Sequence, residues 1–161
     1  MEIVILSKEQ WQELSDNAHA ICFNESNFSA IERVDYALLV IKDDVPMVYA
    51  TIREHDSATA YLSHGGSLPS AKGTTASFAA YMYVIKYLCG KYDVLSTRIQ
   101  NTNKPMLKFA MKAGFIIDGI SYYKNKVYLE HILEVKNVVG ITNSNDSTRN
   151  DEAESASGKS A

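Results

Sequence analysis

The chain of 161 residues contains only two cysteines, Cys22 and Cys89, and both lie inside apolar segments. Two are too few for a zinc cluster, and their surroundings read as buried thiols rather than a disulfide or a nucleophile. His19 and His131 lack neighbours at metal-ligand spacing, so no metal is expected. No apolar run approaches the length of a membrane span. The opening residues, MEIVILSKEQW, have neither the basic flank nor the apolar length of a signal peptide, so a cytoplasmic location is expected. A charge excess is missing too. The formal net charge is −3, and the segment from Asn137 onward holds most of it, with Arg149 and Lys159 against Asp146, Asp151, Glu152 and Glu154. A near-neutral core argues against nucleic acid as a partner, because phosphate-backbone binding needs clustered cations. Lys104, Lys108 and Lys112 share one helix face and read as a solvated stripe.

What is present suits a globular domain: 46% of the residues are hydrophobic and 22% charged. Residues 1–136 carry the hydrophobic pattern. Residues 141–161 have one large apolar residue, Ile141, and 137–161 are expected to form a disordered polar tail suited to docking a protein partner.

Residues 2–6 read as a short buried strand. Ser7-Lys8-Glu9-Gln10 fits a capping box, with Ser7 accepting from the amide of Gln10 and the Gln10 side chain reaching back. The helix it opens places Trp11, Leu14, Ala18 and Ile21 on one face. Residues 23–34 read as a loop or a short second helix. A hairpin follows, residues 36–41 and 46–52 around Asp43-Asp44, and residues 58–64 add a third strand ended by Gly65-Gly66. Residues 75–89 form a helix apolar on most sides, which predicts packing on more than one face. A strand over 92–100, a helix opened by Asn103 and closed by Gly114, and strands over 116–120 and 126–133 complete the order. This alternation predicts an α/β (α+β) mixed sheet with helices on both faces.

Two segments could carry chemistry. SLPSAKGTTASF, residues 67–78, leads into the apolar helix, so amides near residues 73–77 point outward and favour an anion such as a phosphate. The hydroxyls of Thr74, Thr75 and Ser77 either cap the helix or bind that phosphate, and Lys72 adds charge; the segment alone admits both readings. In RIQNTNKPMLKFAMKAGF, residues 98–115, Asn103 is a good N-cap and Pro105 suits the first turn.

Together the two segments resemble the Gcn5-related N-acetyltransferase (GNAT) superfamily. The resemblance spans roughly residues 2–134 and rests on the element order, the turn before the apolar helix, and Asn103 followed by Gly114-Phe115. It implies a mostly antiparallel twisted sheet, with acetyl-CoA wedged between the splaying strands 58–64 and 92–100. Aligning the family's proline with Pro69 puts its pyrophosphate signature on Lys72-Gly73-Thr74-Thr75-Ala76-Ser77. There Lys72 replaces the usual Arg or Gln, and Thr75 and Ser77 replace glycines. Backbone amides of the 58–64 strand would polarise the acetyl carbonyl, with Leu62 and Ser63 among the residues that bind the donor, and Asn103 would meet the pantetheine arm. The implied activity is direct transfer of the acetyl group to an amine, on a small molecule or a protein. The family's Tyr, seven residues after the helix asparagine, is Ala110 here; Tyr122 in the following loop becomes the candidate acid and His64 the candidate base, with Glu54 and His55 behind it. The KYDVL, NTNKPMLKF and GF pattern also resembles the acetyltransferase-like small internal virion proteins of short-tailed phages. That implies the alternative of a catalytically silent binding protein, in the host cytoplasm or the virion.

Overall fold

The computed structural model describes residues 1–23 and 33–137, with the side chains of residues 16–23 outside that description. The tail beyond 137 and most of the 23–34 connection therefore lie outside the described residues. Seven strands form one sheet: β1 (Glu2–Ser7), β2 (Tyr36–Lys42), β3 (Val45–Glu54), β4 (Thr59–Ser67), β5 (Val94–Gln100), β6 (Ile116–Tyr123) and β7 (Lys126–Glu134). Their spatial order is β1-β2-β3-β4-β5-β7-β6. Only β4 and β5 pair in parallel, because a helical crossover, α2 (Thr75–Cys89), joins them. The other neighbours are antiparallel. Asp43 and Asp44 both adopt positive φ, 52° and 62°, the mirror-image turn that matches strand twist.

Helix α1 (Lys8–Phe23) starts on the expected capping box: the amide of Gln10 donates to Ser7 Oγ at 3.2 Å and the amide of Ser7 to Gln10 Oε1 at 2.9 Å. Trp11 is buried against Tyr49, Val34 and Ala37 on one face of the sheet. Leu14, expected beside it, is exposed instead, and Ser15 takes a buried place. Ala18 and Ile21, expected on the same face, lie among the side chains outside the described residues.

The opposite face carries the larger core. Leu38, Val40, Val48, Ala50, Ile52, Leu95, Ile99 and Leu133 point up at Tyr81, Val84, Ile85 and Leu88 of α2. Helix α3 (Lys104–Ala113) flanks α2, with Phe109 against Phe78 and Tyr81 at centroid distances of 5.3 and 5.5 Å. The expected two-sided packing of α2 is thus sheet on one side and α3 on the other. Cys89 is a buried free thiol, its pKa raised by burial.

At the sheet end where β5 begins, the Tyr92 hydroxyl donates to Glu54, so the Tyr36 hydroxyl, 2.8 Å away, must donate to Tyr92. Lys91 lies 3.3 Å from the Glu54 carboxylate and 4.5 Å from the Tyr36 ring centroid. Burial raises the pKa of both tyrosines, whereas the Tyr92 hydroxyl and then Lys91 lower that of Glu54. A raised tyrosine stabilises the fold below about pH 10, the unfolded value, and that stability is lost as pH rises further. A depressed Glu54 contributes above about pH 4, and its contribution is lost as pH falls. Tyr92→Phe removes the acceptor of the Tyr36 O–H and should cost about 1–3 kcal/mol at pH 7, with a shallower decline above pH 10. Urea midpoints between pH 4 and 11 test this; an unchanged alkaline slope would rule out the hydroxyl pair as its source.

Candidate functional site

The strands β4 and β5 pair only from Thr59↔Val94 to Leu62↔Thr97, although β4 runs on to Ser67 and β5 to Gln100. They part where β4 bulges. Thr51 pairs with His64 and Ile52 with Leu62, leaving Ser63 with no partner on β3. Thr97 Oγ1 donates to the Leu62 carbonyl at 3.0 Å, closing the last rung. The Thr51 hydroxyl accepts from the His64 amide at 3.0 Å and donates to its carbonyl at 3.3 Å, pinning the main chain beyond the bulge to β3. The Leu68 amide also turns to β3, to Met47 O. With a two-residue period, the backbone groups of Gly65 and Ser67 then face the side that β5 has left. The expected strand end at Gly65-Gly66 is corrected: β4 passes through both glycines. Gly65 is there because a Cβ would sit 3.1 Å from Tyr49 O and 3.3 Å from the Tyr81 hydroxyl.

The N-terminus of α2 stands over this gap. Gly73 takes φ 73°, and a Cβ there would meet nothing within 4 Å, so the space beside it is open. Thr74 is the N-cap; its hydroxyl donates to Ala71 O at 2.7 Å and accepts from the Ser77 amide at 3.4 Å. The Ser77 hydroxyl pairs with Ser67 at the end of β4. The hydroxyls of Thr74 and Ser77 therefore hold the fold, and an anion would meet amides instead. Those of Thr75 and Ala76 open the first turn with no acceptor inside the helix, and Lys72 is exposed beside them.

Helix α3 begins at the same end, straight after β5. Asn103 caps it, its Oδ1 accepting from the Met106 amide at 3.4 Å while its own amide donates to Gln100 O at 2.9 Å. The cap expected at Asn103 is therefore in place. Ala110 is 2% exposed, a core position under α2 rather than a cleft position.

Cross-strand partners share a face. His64, opposite Thr51, faces the α1 side of the sheet just past the bulge. Tyr122 is not brought to it. Far from lying in a loop, Tyr122 belongs to β6, pairs with Val127 and is 79% exposed, with β7 and β5 between it and the gap. Glu54 sits at the far end of β3, committed to Tyr92 and Lys91. The sequence reading missed residues that the sheet assembles on the His64 face: Tyr61, Arg98, Tyr128 and Glu130. Arg98 stands opposite Glu130 in the β5–β7 ladder, and its guanidinium carbon lies 4.8 Å from the Tyr128 centroid. The signal for Arg98 was the alternation of Ser96 and Arg98 with apolar Leu95 and Ile99, which marks a strand with a polar outer face. Among the described residues no group of three His, Cys, Asp or Glu could hold a metal ion. No described helix is long and apolar enough to cross a membrane.

No protein-family model and no curated protein matches the chain. Solved structures do. The ribosomal-protein-S18-alanine N-acetyltransferase from Escherichia coli superposes with a TM-score of 0.66 at 14% identity, covering 83% of this chain and 94% of that one. An Arabidopsis thaliana protein in complex with the bisubstrate analogue CoA-Ac-MVNAL gives 0.62 at 16% identity, over 83% and 99% of the two chains. A GNAT family acetyltransferase from Elizabethkingia anophelis with acetyl-CoA bound gives 0.62 at 12% identity, over 82% and 97%. At these identities the likeness is one of fold.

Proposed function

We propose that this chain, which has the fold of the Gcn5-related N-acetyltransferases, transfers an acetyl group from acetyl-CoA to an amine by direct attack. The observation that carries the reading is the parting of β4 and β5 at Ser63 beneath the N-terminus of α2. A gap where the β4–β5 ladder ends, with backbone groups facing it and an anion seat at its mouth, suits a long polar arm ending in a diphosphate.

Acetyl-CoA supplies the acetyl thioester. The amides of Thr75 and Ala76 hold its diphosphate, assisted by Lys72 and by the open space at Gly73. The Gly65 and Ser67 backbone groups replace the missing strand pairing along the arm, and Asn103 stands on the facing wall. Leu62 and Ser63 place the thioester at the bulge. There the amine nitrogen bonds the carbonyl carbon, the carbon–sulfur bond breaks, and the CoA thiolate leaves. Holding the two reactants together supplies much of the rate. His64, fixed by Thr51, takes the proton that the amine loses. With Tyr122 distant, water protonates the thiolate.

His64→Gln should lower the transfer rate by roughly tenfold to a hundredfold while leaving acetyl-CoA affinity within about twofold. Release of free thiol and calorimetry read the two quantities; an unaltered rate removes His64 from the mechanism. The silent alternative draws on Ala110, which stands where the family's tyrosine is usual and is buried in the core. Tight acetyl-CoA binding without turnover of any amine would favour it.

A further inference from the structure

The sheet face bearing His64 presents two guanidinium groups, Arg53 and Arg98, with no carboxylate in ion-pair contact among the described residues. Arg98 directly follows Thr97, the last residue of β5 to pair with β4, so it stands at the threshold of the gap, level with Ser63. Its guanidinium carbon lies 4.8 Å from the Tyr128 ring centroid and 5.4 Å from that of Tyr123. Glu130, its partner across the ladder, instead accepts the Ser121 hydroxyl at 2.5 Å. Arg53 covers the ring of Tyr61 at 5.7 Å, and Tyr61 is the β4 residue two before the bulge. The described ion pairs involve Lys91 and Lys136, not these arginines. A guanidinium laid over an aromatic ring keeps its hydrogen-bonding fork at the edge, where a planar oxyanion can engage it twice.

On the acetyltransferase reading, with which this inference stands, α2 and α3 cover the other face and the acyl donor enters beneath them. The acceptor then approaches across the Arg98 face. We propose that the acceptor is an amine carrying an oxyanion a few bonds away, in the manner of an amino acid, with Arg98 binding the oxyanion and Arg53 as the second cation beside Tyr61. The Glu130 carboxylate on the same face complements the ammonium form of that amine before it is deprotonated. The two arginines orient the acceptor so that its nitrogen points back at Ser63 and His64.

The test uses the full chain, acetyl-CoA and paired acceptors: α-amino acids against their α-amides, and O-phosphoethanolamine against ethanolamine. The expected result is about a tenfold or greater preference in kcat/KM for the anionic member, the productive pair telling carboxylate from phosphate. Arg98→Gln should abolish that preference mainly through KM, Arg98→Lys should restore part of it, and acetyl-CoA affinity should hold in both. Equal use of acid and amide, or a preference that survives Arg98→Gln, overturns the proposal. If acetyl-CoA does not bind, the transferase reading fails by itself. The oxyanion site is then read by saturation-transfer NMR with the same acids and amides. Acid-selective contact that Arg98→Gln removes upholds the site, and its absence refutes it.

Discussion

Gly73→Asp should weaken acetyl-CoA binding by about tenfold to a hundredfold while the fold survives. The residue has φ 73° and a Cβ there meets nothing within 4 Å, so the substitution brings no clash. Aspartate is among the few side chains that visit the left-handed region readily. A carboxylate just before α2 also favours the helix, because it faces the positive end of the helix dipole. The same charge set about 5 Å from a diphosphate repels it by about 1–3 kcal/mol at effective dielectric constants of roughly 40–80. Stability and affinity therefore move apart, which ordinary structural damage would not produce. Calorimetric titration of the variant beside urea unfolding reads both. Unchanged affinity would move the diphosphate off the start of α2.

Trp11→Ala should be the most damaging single change to stability, at about 3–5 kcal/mol. Trp11 is 2% exposed and its ring centroid lies 4.9 Å from that of Tyr49. Leu14 points to solvent, so among the described side chains of α1 Trp11 is the one large anchor against β1, β2 and β4. Total stabilities of about 5–15 kcal/mol are usual for a domain, so the loss takes a large share. The urea midpoint should fall by about 1–3 M. A loss under about 1 kcal/mol would mean that other contacts seat α1. Because α1 lies on the face that carries His64, the variant should also lose turnover at temperatures where it is still folded.

Local chemistry was legible in the sequence. The capping box at Ser7 and Gln10, the Asn103 cap, the Gly114 close at φ 96° and the Asp43-Asp44 turn all follow from residues within a few positions of each other. The element order was legible for the same reason. What escaped depends on partners distant in the chain. Gly65-Gly66 reads as a strand end, yet Gly65 is there for the backbone of Tyr49 and the ring of Tyr81. The bulge at Ser63 is a mismatch between two strands, and neither strand announces it. Arg98, Tyr128 and Glu130 become neighbours only once β7 inserts between β5 and β6. Tyr122 was misread because β6 extends to Tyr123, three residues beyond its apolar run. The N-terminus of α2 lay between these cases. Its capping by Thr74 was foreseeable, whereas the tie between Ser77 and Ser67 needed the fold to bring β4 beneath it.

The most direct test of the account is calorimetric titration of the full chain with acetyl-CoA, with desulfo-CoA as companion ligand. Saturable one-to-one binding of both is expected in the micromolar range, about −7 to −8 kcal/mol. Absence of binding by either at millimolar concentration would contradict it, leaving the gap between β4 and β5 without its proposed occupant.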